Sequence, residues 1–310
     1  MIAAIAGVQT ASGGMVTTTG HLLEALLLLG HYRDFMADAR EEEPGGGEPC
    51  PPLRDAIDLH DVWFRYSPEH PWVLEGVSLR IAAGEAVALV GLNGAGKSTL
   101  VKLLCRLYDP ERGSITWDGM DVRSLDVASL RRRVATVFQD FMEYDLSAAE
   151  NVALGDVARL GDRGAVERAA AGAGVDGVLE ALPRGYDTLL SRIFADGGEA
   201  GVELSGGQWQ RIAVARMLMR PDPDVLILDE PSAGLDAEAE HELHGRLLAR
   251  REGTTSVLIS HRLSAVAMAE RIVVLSGGRI IESGTHAAML ASGGEYARLF
   301  TLQASGYQVS

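Results

Sequence analysis

The residues most able to do chemistry form a nine-residue run, GLNGAGKST, at positions 91 to 99. Its glycines, Gly91, Gly94 and Gly96, allow a backbone path in which successive N–H groups turn inward and hold an anion. Lys97 is placed to reach the β- and γ-phosphates of a nucleotide, and Ser98 can ligate magnesium. The predicted nucleotide-binding residues of this loop are Gly91, Asn93, Gly94, Ala95, Gly96, Lys97, Ser98 and Thr99.

The elements around the loop have the order that such a site requires. An apolar run, Ala86 to Val90, precedes it and predicts a strand, and a helix-favouring stretch, Leu100 to Leu107, follows it. A helix that begins at the loop adds its N-terminal amides to the anion site. The full pattern in this context predicts a nucleoside triphosphate site rather than a glycine-rich turn without a ligand.

A second constellation ends an aliphatic run, Asp224 to Glu230, with two adjacent acids. The carboxyl end of a buried parallel strand is where ligands dock, so both acids are expected at that edge of a sheet. Asp229 is suited to the magnesium shell, and Glu230 to polarising the water that attacks the γ-phosphate. The alternative is a pair of solvated acids at a strand end.

Composition limits the partners. The chain has 310 residues, 47% of them hydrophobic, and a formal charge of −15, which repels phosphate backbones and argues against nucleic acid. Its two cysteines match no zinc spacing and indicate a reducing compartment.

The pattern of apolar residues predicts an α/β fold: a P-loop NTPase core, an antiparallel β subdomain and an inserted α-helical subdomain. Residues 57–66 and 72–81 alternate apolar and polar side chains around a turn, as two antiparallel strands would. Buried strands are predicted at Val134 to Phe138, Val225 to Leu228, Ser256 to Ile259 and Ile272 to Leu275. Strand signals are absent from about 145 to 220, where helical periodicity predicts the inserted subdomain.

The first 52 residues differ from the rest. Residues 1–23 carry no charge, but glycines and polar residues interrupt them, which fits a water-facing or helix-packed segment better than a lipid-facing span. An amphipathic helix is predicted from His21. Acid, glycine and proline between 41 and 52 predict a linker.

A second helix start, LSGGQWQR from Leu204, places a Ser-Gly-Gly turn before a helix, which gives a second anion site. The sequence resembles an ATP-binding cassette (ABC) ATPase domain. The resemblance rests on four motifs in this order: the loop at 91–99, the turn at 205–208, Asp229-Glu230 and Ser260-His261. The resemblance covers residues 53–304 and leaves a tail at 305–310.

The resemblance implies a head-to-tail dimer in which one subunit's phosphate loop and the other's Ser205 turn enclose ATP and Mg²⁺. It assigns catalytic roles to Glu230, His261, Gln139 and Lys97. It assigns magnesium contacts to Ser98, Gln139 and Asp229, and further nucleotide contacts to Tyr66, Ser205, Gly206, Gly207, Gln208 and Asp236.

The resemblance also implies individual roles. Gln139 would sense magnesium and the attacking water, His261 would contact the γ-phosphate, and Tyr66 would stack on adenine.

Three features resemble exporters: Gly198 to Gly201, Glu282 to His286, and residues 1–40, which are similar to the end of an exporter's last transmembrane helix. The implied partners are a second cassette and a membrane-spanning exporter domain, at the cytoplasmic face of the cell membrane. The other membrane helices of such exporters have no counterpart in this sequence. Three explanations remain open: a partner chain that carries these helices, a truncated reading frame, and a soluble ATPase with a docking helix.

Two other functions are compatible with the motifs. One is a soluble ABC-type ATPase that acts on nucleic acid or in translation, and the other is a regulatory cassette that binds ATP without hydrolysing it. The transported substrate is not encoded in this segment, because membrane helices select it in this family.

Overall fold

A computed structural model describes residues 15, 18–34, 36, 46–191, 201–251, 253–260 and 262–306. The chain divides into two compact units, Met1–Gly46 and Gly47–Ser310. In the first unit, residues 18–34 form helix α1, on which Leu22 and Leu23 are 61% and 63% exposed. Of the helices in the described part of the chain, none combines the length and the apolar character that a bilayer crossing requires.

The second unit alternates strands and helices. Its strands are β1 (Ala56–Phe64), β2 (Leu74–Ala82), β3 (Ala86–Val90), β4 (Arg112–Trp117), β5 (Met120–Asp121), β6 (Val134–Val137), β7 (Val225–Asp229), β8 (Thr255–Ile259), β9 (Arg271–Ser276) and β10 (Arg279–Gly284). Its α-helices are α2 (Lys97–Leu104), α3 (Val127–Arg133), α4 (Ala148–Ala153), α5 (Arg163–Ala173), α6 (Asp176–Glu180), α7 (Gly206–Leu218), α8 (Ala237–Arg251), α9 (Leu263–Ala267), α10 (His286–Ser292) and α11 (Glu295–Gly306).

A six-stranded sheet with the order β10-β9-β3-β8-β7-β6 forms the centre of the described unit. Strands β9, β3, β8, β7 and β6 are parallel, and β10 pairs antiparallel at one edge. Every residue of β3, β7 and β8 is buried, because both faces of a parallel sheet are covered. The carboxyl ends of these strands meet at one edge, where the candidate site lies.

An antiparallel sheet with the order β2-β1-β4-β5 packs beside this sheet and shares a core with α2. In its register, Leu59 of β1 lies opposite Leu79 of β2 and Ile115 of β4. Two antiparallel strands were predicted here, and the pairing of β1 with β2 agrees with them.

Helices α4 to α7 are the α-helices that the structure describes between 145 and 220, and no named strand falls among the described residues of this interval. Helices α5 and α7 pack against each other, and their buried residues Ala169 and Ile212 belong to one hydrophobic cluster. These helices fit the predicted helical subdomain, whose limits remain a prediction.

Several boundaries differ from the sequence prediction. Helix α2 ends at Leu104 rather than near Leu107, because Arg106 takes a left-handed φ of 49°. Strand β6 ends at Val137, one residue before Phe138. Strands β4, β5 and β10 were not predicted.

The last residues of the predicted linker pack on the second unit. The Glu48 N–H donates to the carbonyl of Ser124 at 2.9 Å, and its carbonyl accepts from the Asp126 N–H at 2.7 Å. Cys50 is buried, and its N–H donates to the hydroxyl of Ser129 at 2.8 Å. The composition of this segment disfavours helix and strand, but it does not prevent these long-range hydrogen bonds. The packed unit therefore begins a few residues before position 53.

Candidate functional site

The loop after β3 has the backbone that its glycines predict. Gly91, Gly94 and Gly96 have φ angles of 153°, 79° and 102°. A Cβ on Gly91 would collide with the carbonyl oxygen of Leu275, and one on Gly96 would lie 2.7 Å from Cδ2 of Leu74. Among the described residues, no atom lies within 4 Å of a Cβ built on Gly94, so there is space on this side of the loop. Both the conformation and the close packing therefore require glycine.

Helix α2 begins directly after the loop, with Gly96 as its N-cap residue. In the described structure no side chain caps this helix end, and its first turn holds no acidic residue. The N–H groups of a first turn have no partners within their helix, so they are available to an anion. The sequence thus places free donors and a partial positive charge at the loop.

Lys97 holds its ammonium inside this loop. The side chain is only 8% exposed, and Nζ donates to the carbonyls of Gly91 at 2.8 Å and Leu92 at 3.1 Å. Burial lowers the pKa of Lys97, whereas the nearby carboxylates of Glu230 and Asp229 act in the opposite direction. A buried cation between loop carbonyls and two acids is suited to a polyanionic ligand.

Asp229 ends the fully buried strand β7 and is itself 2% exposed. Burial raises its pKa, and a hydrogen bond from Ser98 opposes this shift. Among the described residues, Oδ1 of Asp229 has no hydrogen-bond partner. Such a buried oxygen next to a serine hydroxyl fits a hard divalent cation, which prefers oxygen ligands.

A cavity of about 650 Å³ collects most of the predicted residues. Its lining contains Tyr66, Asn93, Gly94, Ala95, Gly96, Lys97, Ser98, Thr99, Gln139 and Glu230, all predicted from the sequence, together with Val73. The volume lies in the range of small-molecule sites. The loop, the end of β6 and the end of β7 thus converge on one space.

Tyr66 is the aromatic residue of the cavity lining. Its hydroxyl lies 3.0 Å from Oγ1 of Thr99, and its ring makes edge contacts with Phe64 and Tyr108 at 5.1 and 5.4 Å between centroids. The ammonium of Lys102 lies 5.6 Å from the ring centroid. The ring is fixed by these contacts and yet 44% exposed.

None of the residues Ser205 to Gln208 lines this cavity, and neither does Asp236. Ser205 is exposed and caps α7: its hydroxyl accepts from the Gln208 N–H at 3.4 Å, and Oε1 of Gln208 accepts from the Ser205 N–H at 2.9 Å. Asp236 is also exposed, and its carboxylate accepts from the Ala239 N–H at 2.8 Å. The structure therefore presents a second helix start separately from the first.

Positions 1–14 and 37–45 of the predicted N-terminal segment and linker lie outside the described residues. So do two predicted site features, His261 and positions 198–200. Their neighbours are described. Ser260 is buried, and its hydroxyl accepts from the Arg262 N–H at 3.0 Å. Arg262 also forms an ion pair with the buried Glu240.

Comparison with known proteins identifies the arrangement. Residues 74–233, about half of the chain, match the ABC transporter family. The chain belongs to this family. The ABC cassette fold inferred from the motif order is confirmed, and the chain therefore carries the ATP-binding domain of an ABC transporter.

Individual relatives are exporters and secretion proteins. The cassette is 45% identical over 300 residues to the cyclolysin secretion/processing ATP-binding protein CyaB of Bordetella pertussis, which covers 92% of this chain and 41% of that protein. It is 37% identical over 314 residues to the ATP-dependent lipid A-core flippase of Paraburkholderia xenovorans, covering 95% of this chain and 51% of the flippase. The chain thus spans about half the length, or less, of these curated relatives.

A solved structure agrees with them. A bacterial Atm1-family ABC exporter with ATP bound superposes with a TM-score of 0.75 at 36% identity, over 84% of this chain and 44% of that one. At this identity the likeness extends beyond the general fold to the cassette's family.

Sequence reasoning missed several residues of the site. Val73 contributes its carbonyl oxygen beside Gly96, a contact that depends on the antiparallel sheet. Gln210 lies inside the quoted LSGGQWQR segment, and its polar side chain is buried to 1% exposure. No burial was predicted for this helix, so no signal pointed to Gln210; buried amides require partners, which only the structure reveals.

Proposed function

We propose that the cassette binds and hydrolyses ATP in a head-to-tail dimer with a second cassette, and that this cycle powers export through a membrane-spanning domain. The observation that supports it most directly is the convergence of Lys97, Gln139 and Glu230 on one cavity, next to the buried Asp229. Anion donors and acids in one space are what phosphoryl transfer requires, since its catalysis is mainly positioning and electrostatic stabilisation.

Mg²⁺ fits the donors present. Ser98, Asp229 and Gln139 offer hydroxyl, carboxylate and amide oxygens, and Asp229 Oδ1 has no partner among the described residues. When bound, Mg²⁺ neutralises charge on the β- and γ-phosphates. In this proposal, Glu230 holds the attacking water as a general base, His261 contacts the γ-phosphate, and Tyr66 stacks on adenine.

The second cassette is proposed because the two helix starts are separate. The exposed Ser205 and Gly206 and the half-buried Gly207 would face the partner's triphosphate, and Asp236 would lie at the dimer seam. The partner can be a second copy or a different cassette. Either arrangement gives each nucleotide donors from both subunits.

Export, rather than another use of ATP, is supported by the relatives, whose names describe secretion and lipid flipping. We propose that residues 1–40 correspond to the end of a transmembrane helix and that the cassette works at the cytoplasmic face of the cell membrane. The formal charge of −15 argues against a nucleic-acid partner. The membrane-spanning part would select the substrate.

Steady-state phosphate release from the purified chain with Mg²⁺ and ATP tests this function. We expect turnover by the wild type, and Glu230→Gln should retain ATP binding while losing most hydrolysis. Glu180→Gln is the control, because Glu180 is exposed at the end of α6 and does not line the cavity. A wild-type protein that binds ATP without releasing phosphate would favour the regulatory cassette, and a Glu230→Gln variant with wild-type turnover would refute the base assignment.

A further inference from the structure

We infer that Gln210 is a positioning residue for Glu230, acting through the backbone that carries the catalytic carboxylate. The inference rests on the role proposed for Glu230. Gln210 is 1% exposed on α7. Its Nε2 donates to the carbonyl of Pro231 at 2.9 Å and to the carbonyl of Glu230 at 3.3 Å.

The backbone at Glu230 needs such support. Its φ angle is 51°, a left-handed conformation that residues with a Cβ rarely adopt. Conformations of this kind persist where the surroundings fix them. The Glu230 N–H donates to the carbonyl of Ile259 at 2.9 Å, and the Glu230 carbonyl accepts from the Ala233 N–H at 3.1 Å. Gln210 adds a contact from helix α7 to the same turn.

The same helix begins at the Ser205 turn. Gln210 follows Ser205 by five positions, or about 7.5 Å along a helix axis, and the capping box at Ser205 and Gln208 fixes that helix end. In the proposed dimer, Ser205 faces the partner's nucleotide. Helix α7 therefore connects the nucleotide of one site with the peptide that orients the carboxylate of the other.

Isosteric variants separate this role from packing. In Gln210→Met the side chain keeps its size but loses both donors. In Gln210→Glu a protonated carboxyl can still donate to the Pro231 carbonyl, whereas an ionised one would face two carbonyl oxygens. Turnover by Gln210→Glu relative to wild type should therefore fall as pH rises.

The experiment compares wild type, Gln210→Met and Gln210→Glu by ATP turnover from pH 6 to 9 and by hydrogen exchange of residues 230–235 without nucleotide. For Gln210→Met we expect a loss in kcat of about tenfold or more, a KM within about threefold, and faster exchange in this segment, by the usual scale for one lost positioning contact. The control is Ile212→Val, which trims a fully buried side chain of the same helix. It should lower the melting temperature and leave both kcat and exchange at 230–235 unchanged.

The outcomes distinguish this inference from the proposed function. Wild-type kcat and wild-type exchange in Gln210→Met would overturn the inference while leaving the ATPase intact. If Gln210→Glu has reduced turnover, and the ratio of its turnover to that of wild type does not change with pH, the side chain has a packing role. This result would also overturn the inference. If the wild type releases no phosphate, the proposed function fails, and exchange alone decides: faster exchange in Gln210→Met supports the positioning role, and unchanged exchange refutes it.

Discussion

At the scale of single residues, the candidate site joins one buried cation to two acids. Lys97 is held by the carbonyls of Gly91 and Leu92, and the carboxylates of Glu230 and Asp229 oppose the effect of burial on its pKa. In the proposed function, the lysine contributes to nucleotide affinity, because a triphosphate carries more negative charge than the two carboxylates. The proposal assigns metal binding and turnover to the acids.

Lys97→Ala should weaken ATP binding by about 1.5–3 kcal/mol, roughly ten- to a hundredfold, the usual worth of hydrogen bonds to charged groups. Isothermal titration calorimetry with a non-hydrolysable ATP analogue measures this change. Arg132→Ala is the control, since it removes a cation that is exposed on α3 and does not line the cavity. Equal affinity of Lys97→Ala and wild type would contradict the phosphate-loop assignment.

Asp229 predicts a pH-dependent stability. Its folded pKa is raised, chiefly by burial, so the folded state holds the proton more tightly than the unfolded state does. Ionisation at neutral pH therefore destabilises the nucleotide-free fold, and this cost disappears as pH falls toward the unfolded pKa near 4.

Asp229→Asn should accordingly unfold at higher urea concentration than wild type at pH 7, with a difference that shrinks toward pH 4. Both proteins are compared without Mg²⁺ or nucleotide, by fluorescence. Added Mg²⁺ and ATP should then stabilise the wild type more than the variant. A variant that is less stable than wild type at pH 7 and equally responsive to Mg²⁺ and ATP would argue against the metal assignment.

The site residues that were predictable are those whose chemistry is local. The loop from 91 to 99 needs only its own glycines, lysine and serine, so its motif identifies it. Glu230 was predicted as an acid at a strand end, but its left-handed φ of 51° and its tie to Gln210 arise from contacts about twenty positions apart. Such long-range contacts leave no periodic signal in the sequence.

At the scale of elements, too, features that depend on local sequence were predictable and others were not. Strands β3 and β7 are continuous apolar runs, AVALV and VLILD, which predict buried parallel strands. Strands β4 and β10 read RGSITW and RIIESG, in which strand-favouring Ile, Thr or Trp stand beside glycine and charged residues in short runs. Strand β10 follows β9 through the two-residue turn Gly277-Gly278, a local hairpin signal that the prediction missed, whereas β4 pairs with β1 over a long stretch of chain.

Two helices share the same cap and allow a matched comparison. Ser205 caps α7, and Ser147 caps α4 with Glu150 in the same reciprocal arrangement. Both Ser205→Ala and Ser147→Ala should lower the free energy of unfolding by about 1 kcal/mol, the usual worth of an N-cap. Urea unfolding measures this decrease in the free energy of unfolding.

ATP turnover then separates the two helix starts. Ser205→Ala should lose turnover by about tenfold or more, because its hydroxyl would also contact the partner's triphosphate. Ser147→Ala should stay within about twofold of wild type. Equal turnover in the two variants would mean that the α7 start serves the fold alone.

At the scale of the whole molecule, the described part of the cassette unit at Gly47–Ser310 contains the cavity that we propose for the triphosphate and, apart from it, a second helix start built like an anion site. The sequence predicted both motifs, but it could not show that the second lies outside the cavity. That separation is the physical reason to expect two cassettes around each nucleotide. It also explains why mutations at 205–208 should affect hydrolysis without touching the chain's own cavity.

The most direct test is the mass of the Glu230→Gln protein by light scattering coupled to size-exclusion chromatography, with Mg²⁺ and saturating ATP. With hydrolysis blocked, the nucleotide-bound state should persist, and we expect a dimer near twice the chain mass of 33.0 kDa, reverting to monomer with ADP. The additional substitution Ser205→Ala should weaken that dimer. A Glu230→Gln protein that binds ATP and yet remains monomeric at every concentration would contradict nucleotide sharing between two copies of this chain.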